Sequence, residues 1–171
     1  MKQHLIIIRG SSGIGKSTIS KEVAKKIPGL VSLIDSDVLR FDFIPKRTKS
    51  FDDRELIYKN LWDLTKNSLN QGLNVIFEGI LAKKTNNKLN IDKYDIYKKK
   101  GVKVSKIHLT CSEKIQIKRI KNRPDKNSIK QLKEWNELAQ NSISKDDLII
   151  ETDNKTIKEI VNIILKHVNK K

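Results

Sequence analysis

The chain has 171 residues, and its 36 Lys and Arg outnumber 20 Asp and Glu to give a formal net charge of +16. Its one cysteine excludes an internal disulfide, no Cys/His cluster stands at metal-ligand spacing, and no apolar run approaches the roughly 18 residues that a membrane span needs. Those features fit one domain over residues 1–171, and an N-terminal apolar stretch too short for a signal peptide predicts a cytoplasmic protein without a membrane partner. Thirty of the basic residues are Lys and six are Arg, scattered beside abundant Asn and Ile. Nucleic-acid binding therefore stays open, since phosphate neutralisation drives it, but is not favoured. A·T-rich coding yields the same mixture, and an aromatic content of 5% leaves little for a base-stacking platform.

Residues 5–9 read as a short, fully apolar strand, and the loop after it runs into a helix through Ile27 that Pro28-Gly29 would stop. A second buried strand is predicted at 31–35. From Asp52 the pattern places Leu56, Tyr58 or Lys59, Leu61, Leu64, Ser68 and Leu69 near one face of a long helix closing on Gly72. Strands follow at 73–77, 102–110 and 148–150, and helices at about 93–99, 112–121, 128–140 and 156–168. Short apolar strands alternating with helices predict a parallel sheet covered on both faces. Ser112 is placed to cap its helix, with Glu113 favouring the positive end of the dipole. His108 reads as a satisfied core histidine, Cys111 as a core or strand-end thiol, and Trp62 and Trp135 as core packing.

One stretch carries chemistry. GSSGIGKST, which is Gly10, Ser11, Ser12, Gly13, Ile14, Gly15, Lys16, Ser17 and Thr18, matches G-x-x-x-x-G-K-[ST] in full and lies between a predicted strand and a predicted helix. Glycines let successive backbone N–H groups turn inward around a phosphate, and the helix N-terminus adds partial positive charge. Lys16 is expected to reach the β- and γ-phosphates, and the Ser17 hydroxyl to ligate Mg²⁺.

This loop resembles that of the P-loop NTPase superfamily, which implies ATP and Mg²⁺ as cofactors. A GTPase of that superfamily carries Asn-Lys-x-Asp, whereas Asn154-Lys155 is followed here by Thr156-Ile157. Oligomeric motor ATPases need further subdomains, for which the chain is too short. The small phosphoryl-transferring kinases remain. Their likeness implies a P-loop kinase-type three-layer αβα sandwich with a five-stranded parallel sheet and a short Arg-bearing lid near residues 122–128.

The weaker motifs follow the same resemblance. DSDVLR at 35–40 is similar to the Asp-x-x-Arg element of polynucleotide 5′-hydroxyl kinases and zeta-toxin-like kinases, and to the acidic strand end of chloramphenicol phosphotransferases. It implies Asp37 as general base, Arg40 as a substrate-orienting contact and Asp35 as a Mg²⁺ ligand through water, although either aspartate would serve as a helix N-cap. Glu78-Gly79 resembles the Glu-Gly of zeta-toxin-like kinases and implies a place in the Mg²⁺ shell or against the acceptor. Arg119 and Arg123 resemble the Arg pair of small P-loop kinases, the first beside the adenine or a phosphate and the second over the γ-phosphate. Favourable placement at a helix C-terminus is the plainer alternative. Thr152 and Asp153 would flank the base, with helix capping by Asp153, Asn154 or Thr156 equally open.

The acceptor would meet residues 41–54 and 80–97. In the first of these, Phe41, Phe43 and Phe51 are interleaved with Lys46, Arg47, Lys49 and Arg54. That suits a planar or phosphorylated acceptor, and equally a loop anchored by buried phenylalanines. The sequence thus reads as an ATP-dependent phosphotransferase acting on a hydroxyl of a small molecule, nucleoside or nucleotide, as monomer or homodimer. A polynucleotide 5′-hydroxyl kinase and a nucleotide-hydrolysing regulatory module that acts through a protein partner are the alternatives.

Overall fold

In the computed structural model, which describes residues 2–39, 42, 51–80, 91–121 and 132–170, the N-terminal apolar run forms β1 (His4–Arg9), the middle strand of a five-stranded sheet. After it come α1 (Lys16–Ala24), β2 (Val31–Asp35), the single turn α2 (Ser36–Val38), α3 (Phe51–Asn70) and β3 (Asn74–Gly79). A 3-10 helix (Ile91–Lys100), β4 (Lys103–Thr110), α4 (Glu113–Lys121), α5 (Leu132–Gln140), β5 (Leu148–Glu151) and α6 (Ile157–Lys170) complete the order. The strands lie as β2-β3-β1-β4-β5, and every pairing is parallel.

A central parallel strand must be apolar on both faces, which is why the run from Leu5 to Ile8 does not alternate. Leu5 and Ile7 join Val75, Phe77 and Val104 beneath Ile57, Leu61 and Leu69 of α3 and Tyr94 and Tyr97 of the 3-10 helix. Ile6 and Ile8 face the other way, onto Ile19 and Val23 of α1 and Ile160, Val161, Ile164 and Val168 of α6. The result is the expected three-layer αβα sandwich. Trp62 packs edge-on to Tyr94, with ring centroids 4.8 Å apart, and beside Tyr97 at 5.5 Å; such contacts add about 0.5–1.5 kcal/mol each beyond their area. Among the described residues no helix is long and apolar enough to cross a membrane.

Three elements differ from the sequence expectation. The buried face of α3 runs through Ile57, Leu61, Thr65, Ser68 and Leu69, while Leu56 and Leu64 are exposed. Thr65 and Ser68 can be buried because their hydroxyls donate to the Leu61 carbonyl at 2.8 Å and to Ser32 Oγ at 3.2 Å. Helix α1 stops at Ala24, not Ile27: Lys26 N–H donates to the Val23 carbonyl, tightening the turn ahead of Pro28, and Ile27 is buried from outside the helix. The segment expected as a helix at 93–99 is a 3-10 helix. Helix α5 is described from Leu132, and residues 128–131 lie outside the described part.

The first strand is also less apolar than it reads. Arg9 is fully buried, donating to the Ser142 carbonyl at 2.5 Å and forming an ion pair with Asp147, whose side chain is equally buried. Asp147 in turn accepts from Ser144 N–H at 2.8 Å and Ser144 Oγ at 3.0 Å. Breaking a buried pair from one side strands a charge, so Asp147→Ala should lose about 3–5 kcal/mol in urea unfolding. Combining Arg9→Met with Asp147→Leu should restore part of that loss. Equal destabilisation by the single and double variants would refute this account.

His108 lies opposite Arg9 in the β1–β4 register and is buried. It is not the fully satisfied histidine expected, because among the described residues its Nδ1 has no hydrogen-bond partner. Burial, then the Arg9 guanidinium, pushes its pKa down to about 4 from 6.5. A histidine held neutral in the folded state favours the native protein above its unfolded pKa. Its contribution is lost as pH falls from 6.5 towards 4, where the unfolded chain takes a proton that the folded chain refuses. The urea midpoint should therefore drop through that window, and His108→Phe should flatten the drop. Superimposable slopes for the two proteins would show that His108 is not the titrating group.

Candidate active site

At the end of β1 the chain enters Gly10 at φ 138°, and a Cβ there would run into the Ile14 side chain and the Leu109 carbonyl. Neither obstacle is easily moved, because Leu109 belongs to the neighbouring strand. Ile14 is 2% exposed and anchors the loop into the α1–α6 side of the core. Gly15 then takes the left-handed conformation, φ 97° and ψ 16°, and caps α1 without a side-chain hydrogen bond. The opening turn of α1 thus keeps N–H groups available for an anion. The Lys16 ammonium arches back over the loop to donate to the Ser11 carbonyl at 2.9 Å.

Beside this loop the strand register aligns Asp35 at the end of β2 with Glu78 of β3, and Ile8 with Glu78 on the other side. Glu78 is 2% exposed and accepts from Ser20 Oγ at 3.3 Å and from the Ser17 hydroxyl. Burial first, and the adjoining Asp35 carboxyl second, push its pKa up to about 8, with Ser17 and Lys16 pulling the other way. Two carboxyls held together, Glu78 buried and Asp35 half-buried, with the Ser17 hydroxyl on Glu78, form an oxygen donor set that suits a cation. Among the described residues no group of three or more His, Cys, Asp or Glu could form a closed metal cage. One or two carboxylates and a hydroxyl suit Mg²⁺, which keeps several waters and shares the rest of its shell with phosphates.

Asp35 also caps α2, its Oδ1 accepting from Asp37 N–H at 2.7 Å, so the cap and the Glu78 contact fall on one residue. Asp37 stands on the exposed first turn of α2. On the opposite flank, Arg119 of α4 donates to the Ile14 carbonyl at 3.3 Å, to Thr152 Oγ1 at 3.0 Å and to the Thr152 carbonyl at 3.3 Å. Asp153 accepts from Ser112 N–H through both carboxylate oxygens, at 2.9 and 3.0 Å, and its contacts with Ser112 hold it below the usual carboxylate range. It therefore secures the start of α4. Thr156, with Glu159, forms the capping box of α6. Cys111 sits half-buried after β4 with its thiol pushed up by burial, as suits an inert group.

The fold thus gathers Lys16, Ser17, Asp35 and Glu78 on one flank of the loop and Arg119, Thr152 and Asp153 on the other. Arg40, Arg123, the lid near 122–128 and most of the two acceptor stretches lie outside the described residues. Ser20 and Gln116 escaped the sequence reading. Ser20 was findable, one turn after Ser17 on the same helix; Gln116 was not, since its partners are 104 and 105 residues away.

A family model described as an AAA domain matches residues 5–142. Among curated proteins none matches the sequence. Solved structures do. A sugar kinase from Janibacter sp. HTCC2649 superposes with a TM-score of 0.70 at 16% identity, covering 99% of this chain and 96% of that one. The Mycobacterium tuberculosis APS kinase, in complex with AMPPNP and APS, gives 0.69 at 14% identity over 99% of both chains. A gluconokinase from Sinorhizobium meliloti 1021 gives 0.66 at 19% identity over 98% and 92%. At these identities the likeness is one of fold, and the fold is that of the small P-loop kinases.

Proposed function

The chain belongs to the AAA_33 family of AAA domains and carries a P-loop kinase fold, and from that premise we propose that it transfers the γ-phosphoryl group of ATP to a hydroxyl of a small molecule, nucleoside or nucleotide. The observation that carries this reading is the hydrogen-bonded pair of Glu78, which is buried, and Asp35, which is half-buried, with the Ser17 hydroxyl on Glu78 beside Lys16. A loop that only binds phosphate has no use for two paired carboxyls at its edge.

In this reading residues 10–18 wrap the phosphates with backbone N–H groups, and Lys16 leaves the Ser11 carbonyl for the β- and γ-phosphates. Ser17, Asp35 and Glu78 would hold Mg²⁺, directly or through water, and the ion would neutralise charge on the β- and γ-phosphates. Asp37 would take the acceptor hydroxyl's proton from its exposed turn beside the carboxylate pair. Arg119 and Thr152 support the nucleobase side through their mutual hydrogen bonds, with Asp153 fixing the start of α4. Arg40 and Arg123 keep the substrate-orienting and γ-phosphate roles that the family likeness gives them.

The match to an AAA domain favours a second reading, a nucleotide-hydrolysing module that works through a protein partner. The test is a transfer assay with Mg²⁺ and γ-labelled ATP against sugars, nucleosides, nucleotides, APS and 5′-hydroxyl oligonucleotides, resolving products from free phosphate. Label on a small acceptor supports the proposal and names its class. Label on the oligonucleotide alone, or in free phosphate alone, overturns it in favour of the polynucleotide or hydrolytic reading respectively.

A further inference from the structure

One face of α4 is built against the back of the phosphate loop. Gln116, Arg119 and Ile120 stand at i, i+3 and i+4 and so share a side of the helix. Gln116 is 1% exposed, and its Nε2 donates to Ser12 O at 2.5 Å, to Ser11 Oγ at 3.0 Å and to Asn136 Oδ1 at 3.0 Å. Asn136 of α5 returns the bond, Nδ2 to Gln116 Oε1, at 3.1 Å. Ile120 lies where a Cβ on Gly13 would have to go, at 2.7 Å from its Cγ1. Arg119 takes the Ile14 carbonyl. The loop is therefore gripped at four successive residues, from Ser11 to Ile14, by three side chains of one helix.

The amide orientation is fixed by chemistry. The Ser12 carbonyl accepts only, so the donor end of Gln116 must face it, and the acceptor end is then matched by the Asn136 amide. With two hydrogens for three acceptors, one of these bonds is shared. Each loop carbonyl held outward by α4 turns the peptide plane so that the following N–H points inward, to the side where a phosphate lies.

We propose that Gln116, oriented by Asn136, is a positioning residue for the phosphate loop: it pre-forms the inward array of N–H groups and so sets affinity for a polyphosphate without touching one. This rests on the reading of the loop as an ATP site. The thermodynamic reason is preorganisation. Without the amide, the Ser11–Ser12 segment samples other peptide orientations and must be ordered at the moment of binding.

The test is calorimetric titration of Mg²⁺–ATP and of adenosine into wild type, Gln116→Met and Asn136→Leu, with melting curves for each. Gln116→Met removes the donors at nearly constant volume and should weaken ATP binding roughly 10–100-fold, the range that follows from an unsatisfied buried carbonyl. Adenosine, which carries no phosphate, should bind all three proteins alike; a general packing defect would weaken both ligands together. Asn136→Leu, which leaves Gln116 in place, should give a smaller loss for ATP of the same sign, and it carries the test if Gln116→Met melts far below wild type. ATP binding within about twofold of wild type in both variants, or equal losses for adenosine, overturns the proposal. Wild type that binds no ATP at all overturns the ATP-site reading beneath it.

Discussion

In the Asp37→Asn protein, transfer to the acceptor should fall by about 10²–10⁴-fold while ATP affinity stays near that of wild type, the signature of a lost general base. The substitution keeps size and hydrogen-bonding capacity and removes only basicity. Asp37 could instead be an ordinary helix-terminal acid, and the structure separates the two roles. The cap of α2 is Asp35, whose carboxylate accepts from Asp37 N–H, so capping makes no call on the Asp37 carboxylate. A capping function would appear in Asp35→Ala as a loss of about 1 kcal/mol of stability. Measuring kcat and both KM values for Asp37→Asn is decisive: unchanged turnover removes Asp37 from the chemistry.

What the sequence made legible was local. The strand–loop–helix unit from His4 to Ala24 is specified within one stretch of chain: a two-sided apolar strand, glycines at positive φ, and a lysine and serine opening a helix. The same locality let the alternation of β and α segments predict a parallel sheet. Pairs remote in sequence were illegible. Arg9 and Asp147 are 138 residues apart, and nothing in either neighbourhood shows that a strand otherwise apolar ends in a buried ion pair. Arg119 reads by resemblance as a nucleotide contact, with a helix-terminal cation as the alternative, but its bond to Thr152, 33 residues on, is not legible. On α3 the error was one of phase. Ser68 lies on the inward face as expected, but burial of Thr65, whose hydroxyl bonds the Leu61 carbonyl one turn back, turns that face away from Leu56 and Leu64.

Glu78→Gln should make the metal-free protein more stable and the enzyme much worse. The pKa of Glu78 is raised to about 8 by burial and by Asp35, so folding favours its protonated form. Such a group contributes stability that is full below its unfolded value, 4.5, and is lost as pH rises through 8. Glutamine is neutral throughout, so the variant escapes that loss, and its advantage over wild type should grow by about 1.4 kcal/mol per pH unit across the window. This slope is opposite in sign to that expected of His108, which destabilises the fold as pH falls, so the two groups can be told apart in one set of urea curves. Activity should move against stability. Losing the anionic oxygen from the proposed Mg²⁺ donor set should cost at least about 10–100-fold in metal-dependent transfer. Mg²⁺ with ATP should raise the melting temperature of wild type more than that of the variant. The contrast follows from a single physical cause: two carboxyls kept close by the β2–β3 register disfavour being ionised together, and in the proposed function a cation relieves that cost. A variant that is less stable than wild type at pH 8 yet fully active would make Glu78 a structural hydrogen-bond partner of Ser20, and the Mg²⁺ site would have to lie elsewhere.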